Sequence, residues 1–539
     1  MIGRDAQDEP MRKSASFKLT IAFLCLVAAL SALDAVIVSA CLPAIAQDLH
    51  GTSTETFWVG TSFLLGQTIT IPFFGVASEV FGRKLPILIA ISLFLLGSIL
   101  SATAQSTSWL IGARTVQGIG AGGTIQLVQL IISDITTMQE RGIYIAMSSF
   151  GWAFGTIAGV PIGGAIAEHT TWRVAFWINV PFCVICFTGL VCTLKLHHER
   201  ASFQSKVSRI DWIGLGMFTG ATTLFLVGLT SGGTSHPWRS AATLVPLVLG
   251  ASLYASFVFV EWRVSRFCMM PLQIFRNIPA CVGFITSFLQ GMILWCSMYY
   301  MIIYVGMNLF LGVLQHGLLR SAAETLSYGA FVAPAGVAAS IAVKRTMRYK
   351  YLIVAGWFLT TLGTGINVIT LKAHSSKAQI FAPRCIAAIG AGLLFPTPLF
   401  AVQAKQSKAN IGVATTMQVF FRSLGMAFGV ALGGVIFQNR WDHVVGEAIA
   451  SGLLPMSYNI PSAHAELAYA LISQMPPAVQ SFYRDTYAES LIMVWWVMFA
   501  FAVLGLSCSL FGDDEKLSPS GTGVQSFAQS DEHRDSLVV

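Results

Sequence analysis

Charge is scarce in this chain. Aspartate, glutamate, lysine and arginine make up 11% of its 539 residues, against about 25% in an ordinary soluble domain, which excludes a protein held in water by a charged surface. No Asn-x-Ser/Thr sequon occurs, so glycosylation offers no anchor for topology. The HExxH, GxSxG and Walker-type motifs are missing as well. Metal-assisted hydrolysis, serine-nucleophile chemistry and nucleotide-driven work are thereby left without a carrier. Neither enzymatic activity nor a cofactor is expected, and any driving energy must come from an ion gradient. Disulfides are not expected either: of ten cysteines, Cys25, Cys183, Cys192, Cys281 and Cys508 fall inside apolar runs, where they act as small hydrophobes.

Apolar sequence fills the chain instead. Hydrophobic residues make up 55% and mean hydropathy is +0.69. Windows of about 20 apolar residues, enough to cross a hydrocarbon core of about 30 Å, fall at 17–41, 56–77, 85–104, 108–132, 143–166 and 174–194. Two more lie at 210–230 and 241–261, and six at 279–304, 324–343, 351–371, 379–402, 412–436 and 489–511. An all-α membrane protein of fourteen transmembrane helices is predicted. The first window is too long, and followed by too many others, for a cleaved signal peptide. With both termini cytoplasmic, 22 of the 32 lysines and arginines lie in inside segments, seven lie outside, and Arg114, Arg384 and Arg422 lie within spans. That is the excess expected of cytoplasmic loops. The net charge of +7 therefore reports topology and requires no nucleic-acid partner.

The expected organisation is a cytoplasmic tail at 1–16, a six-helix half at 17–194, cytoplasmic linkers with two inserted helices at 195–278, and a second six-helix half at 279–511. An external loop at 437–488 interrupts the second half, with a short amphipathic helix expected over AHAELAYALISQM, and a polar tail at 512–539 is expected to be disordered. The two halves are a repeat. GARTVQGIGAGG at 112–123 returns as RCIAAIGAG at 384–392, so that Arg114, Ile119, Gly120, Ala121 and Gly122 match Arg384, Ile389, Gly390, Ala391 and Gly392 at an offset of 270. Gly155, Gly159, Gly163 and Gly164 match Gly425, Gly429, Gly433 and Gly434 in the same register. Spans four and five thus correspond to twelve and thirteen, and parallel six-helix halves around a central cavity are a transporter design.

GIGAGG also spells a dinucleotide-binding turn, but that turn needs a preceding strand in a soluble βαβ unit. Within apolar helices, small residues serve close helix contact instead. The ionisable groups are more telling. Arg114 lies six residues from the start of span four, about 9 Å below the outer edge, and Asp34 lies seven residues before the end of span one, about 10 Å down. Asp34 is the only carboxylate well inside a span, since Glu168, Asp211 and Glu261 lie at span ends. Ionisable groups within hydrocarbon cost at least about 2.5 kcal/mol each and mark proton or substrate paths. Asp34 is expected to take up a proton from an outward-open cavity and release it inward as substrate exchanges, with Arg114 setting its affinity; a static ion pair is the alternative. Gln67, Gln117, Gln126, Gln290, Trp295, Arg384, Gln418 and Arg422 are candidates for the cavity wall, although lone amides and aromatics at helical spacing more often serve helix packing.

Further motifs complete the pattern. GVASEVFGRK at 75–84 carries Gly75, Glu79, Gly82, Arg83 and Lys84; GWAFGTIAGVPIGG at 151–164 carries Gly155, Gly159, Pro161, Gly163 and Gly164. Leu33-Asp34 is followed by Ile37-Val38 and Leu42-Pro43, and TWRVAFWINVPF stands at 171–182. Together with RTVQGIGAG at 114–122, these resemble the major facilitator superfamily, and within it the fourteen-span drug:proton antiporters in their fungal form, over nearly the whole chain. The resemblance implies proton-coupled export of amphipathic small molecules, such as drugs, toxins or fungal secondary metabolites, by alternating access. It also implies a latch in which the turn at Gly82 lets Arg83 and Lys84 meet acidic residues such as Asp134, with a plain inside-positive loop as the alternative; the span-five glycines are read as helix packing or, with Pro161, which has no copy at Ala431, as a gating hinge. Import by the same architecture, for instance of siderophores, and a non-transporting membrane sensor are the alternatives. The partners expected are a small-molecule substrate, protons and the lipid bilayer, for a monomer in the plasma membrane. One stretch departs from the family: YVGMNLFLGVLQHGLLRSAAETL, 304–326, leaves the boundaries of spans nine and ten open.

Overall fold

A computed structural model of the protein describes residues 14–512, apart from 52, 197–206, 209, 234–235, 266–267, 311–317, 372–374, 466–471 and 473, together with residue 517. The first half consists of α1 (Ala15–Asp48), α2 (Ser53–Phe81), α3 (Lys84–Ala102), α4 (Thr107–Ile135), α5 (Met138–His169) and α6 (Val174–Thr193). The inserted pair is α7 (Trp212–Ser231) and α8 (Ala241–Arg263). The second half consists of α9 (Ile278–Phe310), α10 (Leu318–Thr346), α11 (Lys350–Thr370), α12 (Lys377–Leu394), α13 (Ile411–Ala450) and α14 (Pro477–Leu510). Thirteen of these are long and apolar enough to cross a membrane among the described residues, and α10, with 29 residues, takes the remaining place.

Local chemistry sets the helix ends. Ser14, Ser106, Thr137 and Asp211 accept the N–H three residues on and so cap α1, α4, α5 and α7. Gly82, at φ +80°, makes the turn from α2 to α3. Pro396, which has no N–H to donate, breaks α12, and the chain resumes as a helix over Thr397–Gln403.

The repeat is visible in the packing. The α1–α5, α2–α4 and α3–α4 contacts of the first half return as α9–α13, α10–α12 and α11–α12 in the second. The halves meet along two seams, α5 with α10 and α2 with α13, which exchange under the same correspondence. The α7–α8 pair lies against the second seam, with Phe218 4.9 Å from Phe420 between ring centroids. Glycines set the helix spacing at equivalent places: a methyl group at Gly120 would stand 2.6 Å from the Ala90 carbonyl, and one at Gly390 would stand 2.6 Å from that of Gly356. That answers the GIGAGG pattern as helix contact.

The hydropathy windows stop short of several helices. α13 continues through residues 437–450 and α14 begins at Pro477, so both ends of the stretch read as an external loop are helical. These extensions are amphipathic and bury one side in protein: Trp441 stacks on Tyr483 at 5.4 Å, its Nε1 donates to the Ile460 carbonyl at 3.0 Å, and Tyr483 Oη donates to the Tyr458 carbonyl at 2.6 Å. Of the expected amphipathic helix, Ser462–Ala465 is helical and 466–471 lie outside the described residues, as do most of both tails and of the linker after α6. α9 ends at Phe310 and α10 begins at Leu318. Ser16, at the start of α1, donates to the Thr193 carbonyl at the end of α6; this face, where the chain also finishes, is called the terminal end below. At the opposite end Trp172 and Arg173 both donate to Asp48, at 2.9 and 2.8 Å, and hold its carboxyl below the usual carboxylate range.

Candidate functional site

Asp34 and Arg114 meet inside the first half. Arg114 Nη1 donates to Asp34 Oδ2 at 2.6 Å, with the side chains 1% and 0% exposed. The other carboxylate oxygen, Oδ1, accepts from Gln117 Nε2 at 2.8 Å and from Asn179 Nδ2 at 2.6 Å. Gln117 Oε1 accepts from Arg114 at 2.7 Å, and Gln117 also donates to Ser98 Oγ. The guanidinium lies 4.2 Å from the Phe63 ring centroid. A buried ion pair repays its desolvation only when the remaining lone pairs are satisfied, and three donors from α4 and α6 do that here. α1, α3, α4 and α6 are thereby tied at one point.

Asp34, expected to exchange its proton with an open cavity, is not among the described residues that line the central one. Asp34 points from α1 towards α4 and α6, whereas Ser31 and Ala35 on the adjoining side of α1 line a central cavity between the halves, with about 780 Å³ of space between its walls when the part open to solvent is counted. Gln67, Trp295 and Arg422 are on its wall, along with Trp152, Phe395, Ser148 and Gln129, which sequence reasoning did not single out. Trp152 stands 4.8 Å from Phe395 and 6.3 Å from Trp295.

The other candidate wall residues are elsewhere. Gln117 belongs to the Asp34 knot. Gln126 donates across the seam to Thr416 Oγ1 at 2.7 Å, and Gln418 donates within the second half to Ser287 Oγ at 3.0 Å. Gln290 and Arg384 are buried in the second half, away from that wall. Gln290 has no hydrogen-bond partner for either amide atom among the described residues, whereas Gln126 and Gln418 each find one acceptor, so the amide type alone does not tell wall from interior.

Polar contacts close the cavity towards the terminal end. Arg83 Nε donates to Asp134 Oδ2 at 2.7 Å, and its Nη1 donates to the Ser78 carbonyl. Lys84, expected to meet an acid, instead donates to the Val191 carbonyl at 2.7 Å, because the turn at Gly82 sends it towards α6. Glu79 sits at the first turn of α13, beside Gly412. A residue not anticipated completes the closure: Arg141 Nη1 donates to Gln403 Oε1 at 2.7 Å, and Gln403 donates to Ser133 and Thr415. The closure thus links α4 and α5 with the helix after Pro396 and with α13. Thr416 lies against Gly75. Val36, Trp295, Met426 and Val430 form an apolar cluster that shares Trp295 and Met426 with the cavity wall. The α5 glycines seat that helix on α1, with Gly155, Gly159 and Gly163 against the carbonyls of Ala29, Leu33 and Ile37. Pro161 falls between these contacts, and Gly164 is buried beside them.

Asn179 is the residue of the knot that sequence reasoning passed over. Its signal was an asparagine at the start of an otherwise apolar span, inside the quoted motif TWRVAFWINVPF.

Comparison with known proteins agrees with this architecture. The Major Facilitator Superfamily profile matches residues 24–430. The protein named MFS transporter L2 from Phoma sp. is 36% identical over 492 residues, covering 91% of this chain and 81% of that one. Efflux pump FUS6 from Gibberella fujikuroi is 31% identical over 513 residues, covering 95% and 91%. Among solved structures, that of the proton:xylose symporter XylE superposes with a TM-score of 0.60 at 14% identity, over 94% of this chain and 97% of that one, which speaks to the fold. A multi-pass bundle of two repeated six-helix halves, matched by the profile over most of its length, identifies this chain as belonging to the major facilitator superfamily of membrane transporters.

Proposed function

We propose that this protein exports amphipathic small molecules across the plasma membrane in exchange for protons, by alternating access, as a monomer with both termini in the cytoplasm. The observation that carries the proposal is the buried Asp34–Arg114 pair, an ionisable knot that ties four helices together without touching bulk water. A proton arriving on Asp34 removes the charge that Arg114, Gln117 and Asn179 converge on, and loosens α1 from α4 and α6. α1 also contributes Ser31 and Ala35 to the cavity wall, so the same helix senses proton and cargo. The Arg83–Asp134 and Arg141–Gln403 contacts serve as the latch that opens when the terminal end must admit substrate, and the α5 segment around Pro161 serves as the hinge. Relatives named as efflux pumps favour the outward direction.

The test is transport of fluorescent amphipaths in proteoliposomes under an imposed pH gradient. Native protein is expected to move substrate against the proton flow, and Asp34→Asn, folded and reconstituted equally well, is expected to lose that drive. Undiminished proton-driven transport by Asp34→Asn would rule out the coupling role.

A further inference from the structure

The cavity wall carries one charged side chain. Among the lining residues Arg422 alone is ionisable; the rest are Trp, Phe, Met, aliphatic, Ser and Gln. Arg422 is 4% exposed, and its Nη2 donates at 2.7 Å to the carbonyl of Phe395, the residue at the proline break of α12. Its guanidinium also stands 4.5 Å from the Phe395 ring centroid. Its Nε has no hydrogen-bond partner among the described residues, and neither has Gln129 Oε1 on the same wall. Arginine does not lose its charge in a protein, and no carboxylate lines the cavity to balance it. Asp34, one residue from the wall, has both oxygens engaged by Arg114, Gln117 and Asn179.

Resting on the transport reading above, we infer that the cavity takes a flat aromatic or conjugated molecule bearing one anionic oxygen group, a carboxylate or a comparably acidic hydroxyl, with its charge on Arg422. The guanidinium has a buried, unpartnered Nε–H to give to such a group. Trp152, Trp295 and Phe395 provide faces for a conjugated body. The amide oxygen of Gln129 accepts from a hydroxyl substituent. A cation meets the opposite: it would bring a like charge to a wall with no acid to receive it, and rejection follows from that repulsion.

Three probes sharing one ring system separate charge from shape: anthracene-2-carboxylate, anthracene-2-methanol and anthracene-2-methylammonium. Equilibrium dialysis against purified full-length protein in detergent micelles, with protein-free micelles as blank, gives the dissociation constants. The carboxylate is expected to bind about tenfold or more tightly than the ammonium, as a hydrogen-bonded charge requires. Arg422→Gln should erase the difference and Arg422→Lys should keep part of it. If Arg422→Gln fails to fold, Ser148→Asp decides, since it leaves the Arg422–Phe395 contact in place and sets a carboxylate on the same wall: the preference should collapse or invert. Equal or tighter binding of the ammonium by the native protein, binding of none of the three, a preference that survives Arg422→Gln, or an unchanged preference in Ser148→Asp would each overturn the inference. The same probes in proteoliposomes separate this from the parent reading. Proton-driven movement without charge preference defeats the anion site alone, and selective binding without proton-driven movement defeats the export reading alone.

Discussion

Asn179 Nδ2 stands 2.6 Å from Asp34 Oδ1, the oxygen that also accepts from Gln117, so the start of α6 is fastened to the middle of α1 through a carboxylate. A hydrogen bond to a charged group contributes about 1.5–3 kcal/mol. Asn179→Ala should therefore lower proton-driven transport by roughly tenfold or more while leaving a monodisperse protein on size exclusion. Transport within a factor of two of native would show that Asn179 only fills space.

The glycine contacts predict opposite signs for one substitution. Alanine in place of a helical glycine ordinarily stabilises by about 0.5–1 kcal/mol, and Gly112→Ala should follow that rule because nothing stands within 4 Å of the added methyl. Gly120→Ala and Gly390→Ala should each destabilise by about 1–3 kcal/mol through overpacking. Thermal melts of the detergent-solubilised variants check this, and a rise in melting temperature for Gly120→Ala would refute the packing account.

The closure at the terminal end can be loosened at Gln403. Gln403→Leu removes the acceptor of a buried guanidinium and two further donations at once. The open population should grow by about tenfold or more, read as faster hydrogen–deuterium exchange at the end of α4 and the start of α5. Unchanged exchange there would mean that Arg141 and Gln403 do not hold the halves together.

Asp48 supplies a pH dependence with a definite sign. Its carboxyl is held below the usual range by Trp172 and Arg173, so the contribution is complete above about 3.9, the ordinary aspartate value, and fades as pH falls through the lower folded value. The group is 48% exposed, so the effect is small after solvent screening. Asp48→Asn should melt slightly lower than native protein at pH 7, with the gap closing in the most acid samples. A gap that widens on acidification would contradict the assignment.

Much of this is legible in the sequence itself. Charges are costly in hydrocarbon, so Asp34 and Arg114 stood out by their rarity, and opposite chain directions put them at comparable depth. Glycines at an offset of 270 announced the repeat because close helix contact tolerates no side chain. What stayed hidden depended on which way a side chain faces. Asp34 and Ala35 are neighbours in sequence, yet one points into the first half and the other at the cavity. Gln117, Gln126 and Gln418 are chemically identical, yet one joins the carboxylate knot, one bridges the halves and one stays within the second half. Arg141, read from the sequence only as a loop cation, is fully buried, because the acceptors that hold it come from residues up to 262 positions away.

α13 runs unbroken for 40 residues, about 60 Å at helical rise, or roughly twice the hydrocarbon thickness. If the proposed latch opens by a pivot of this helix, a rotation of about 10° there would carry its far tip through about 10 Å. A fluorophore or spin label on the exposed side of α13 next to Trp441 would magnify small rocking of the second half into a readable displacement, and a bulky binder on that exposed side should arrest the proposed cycle without entering the cavity.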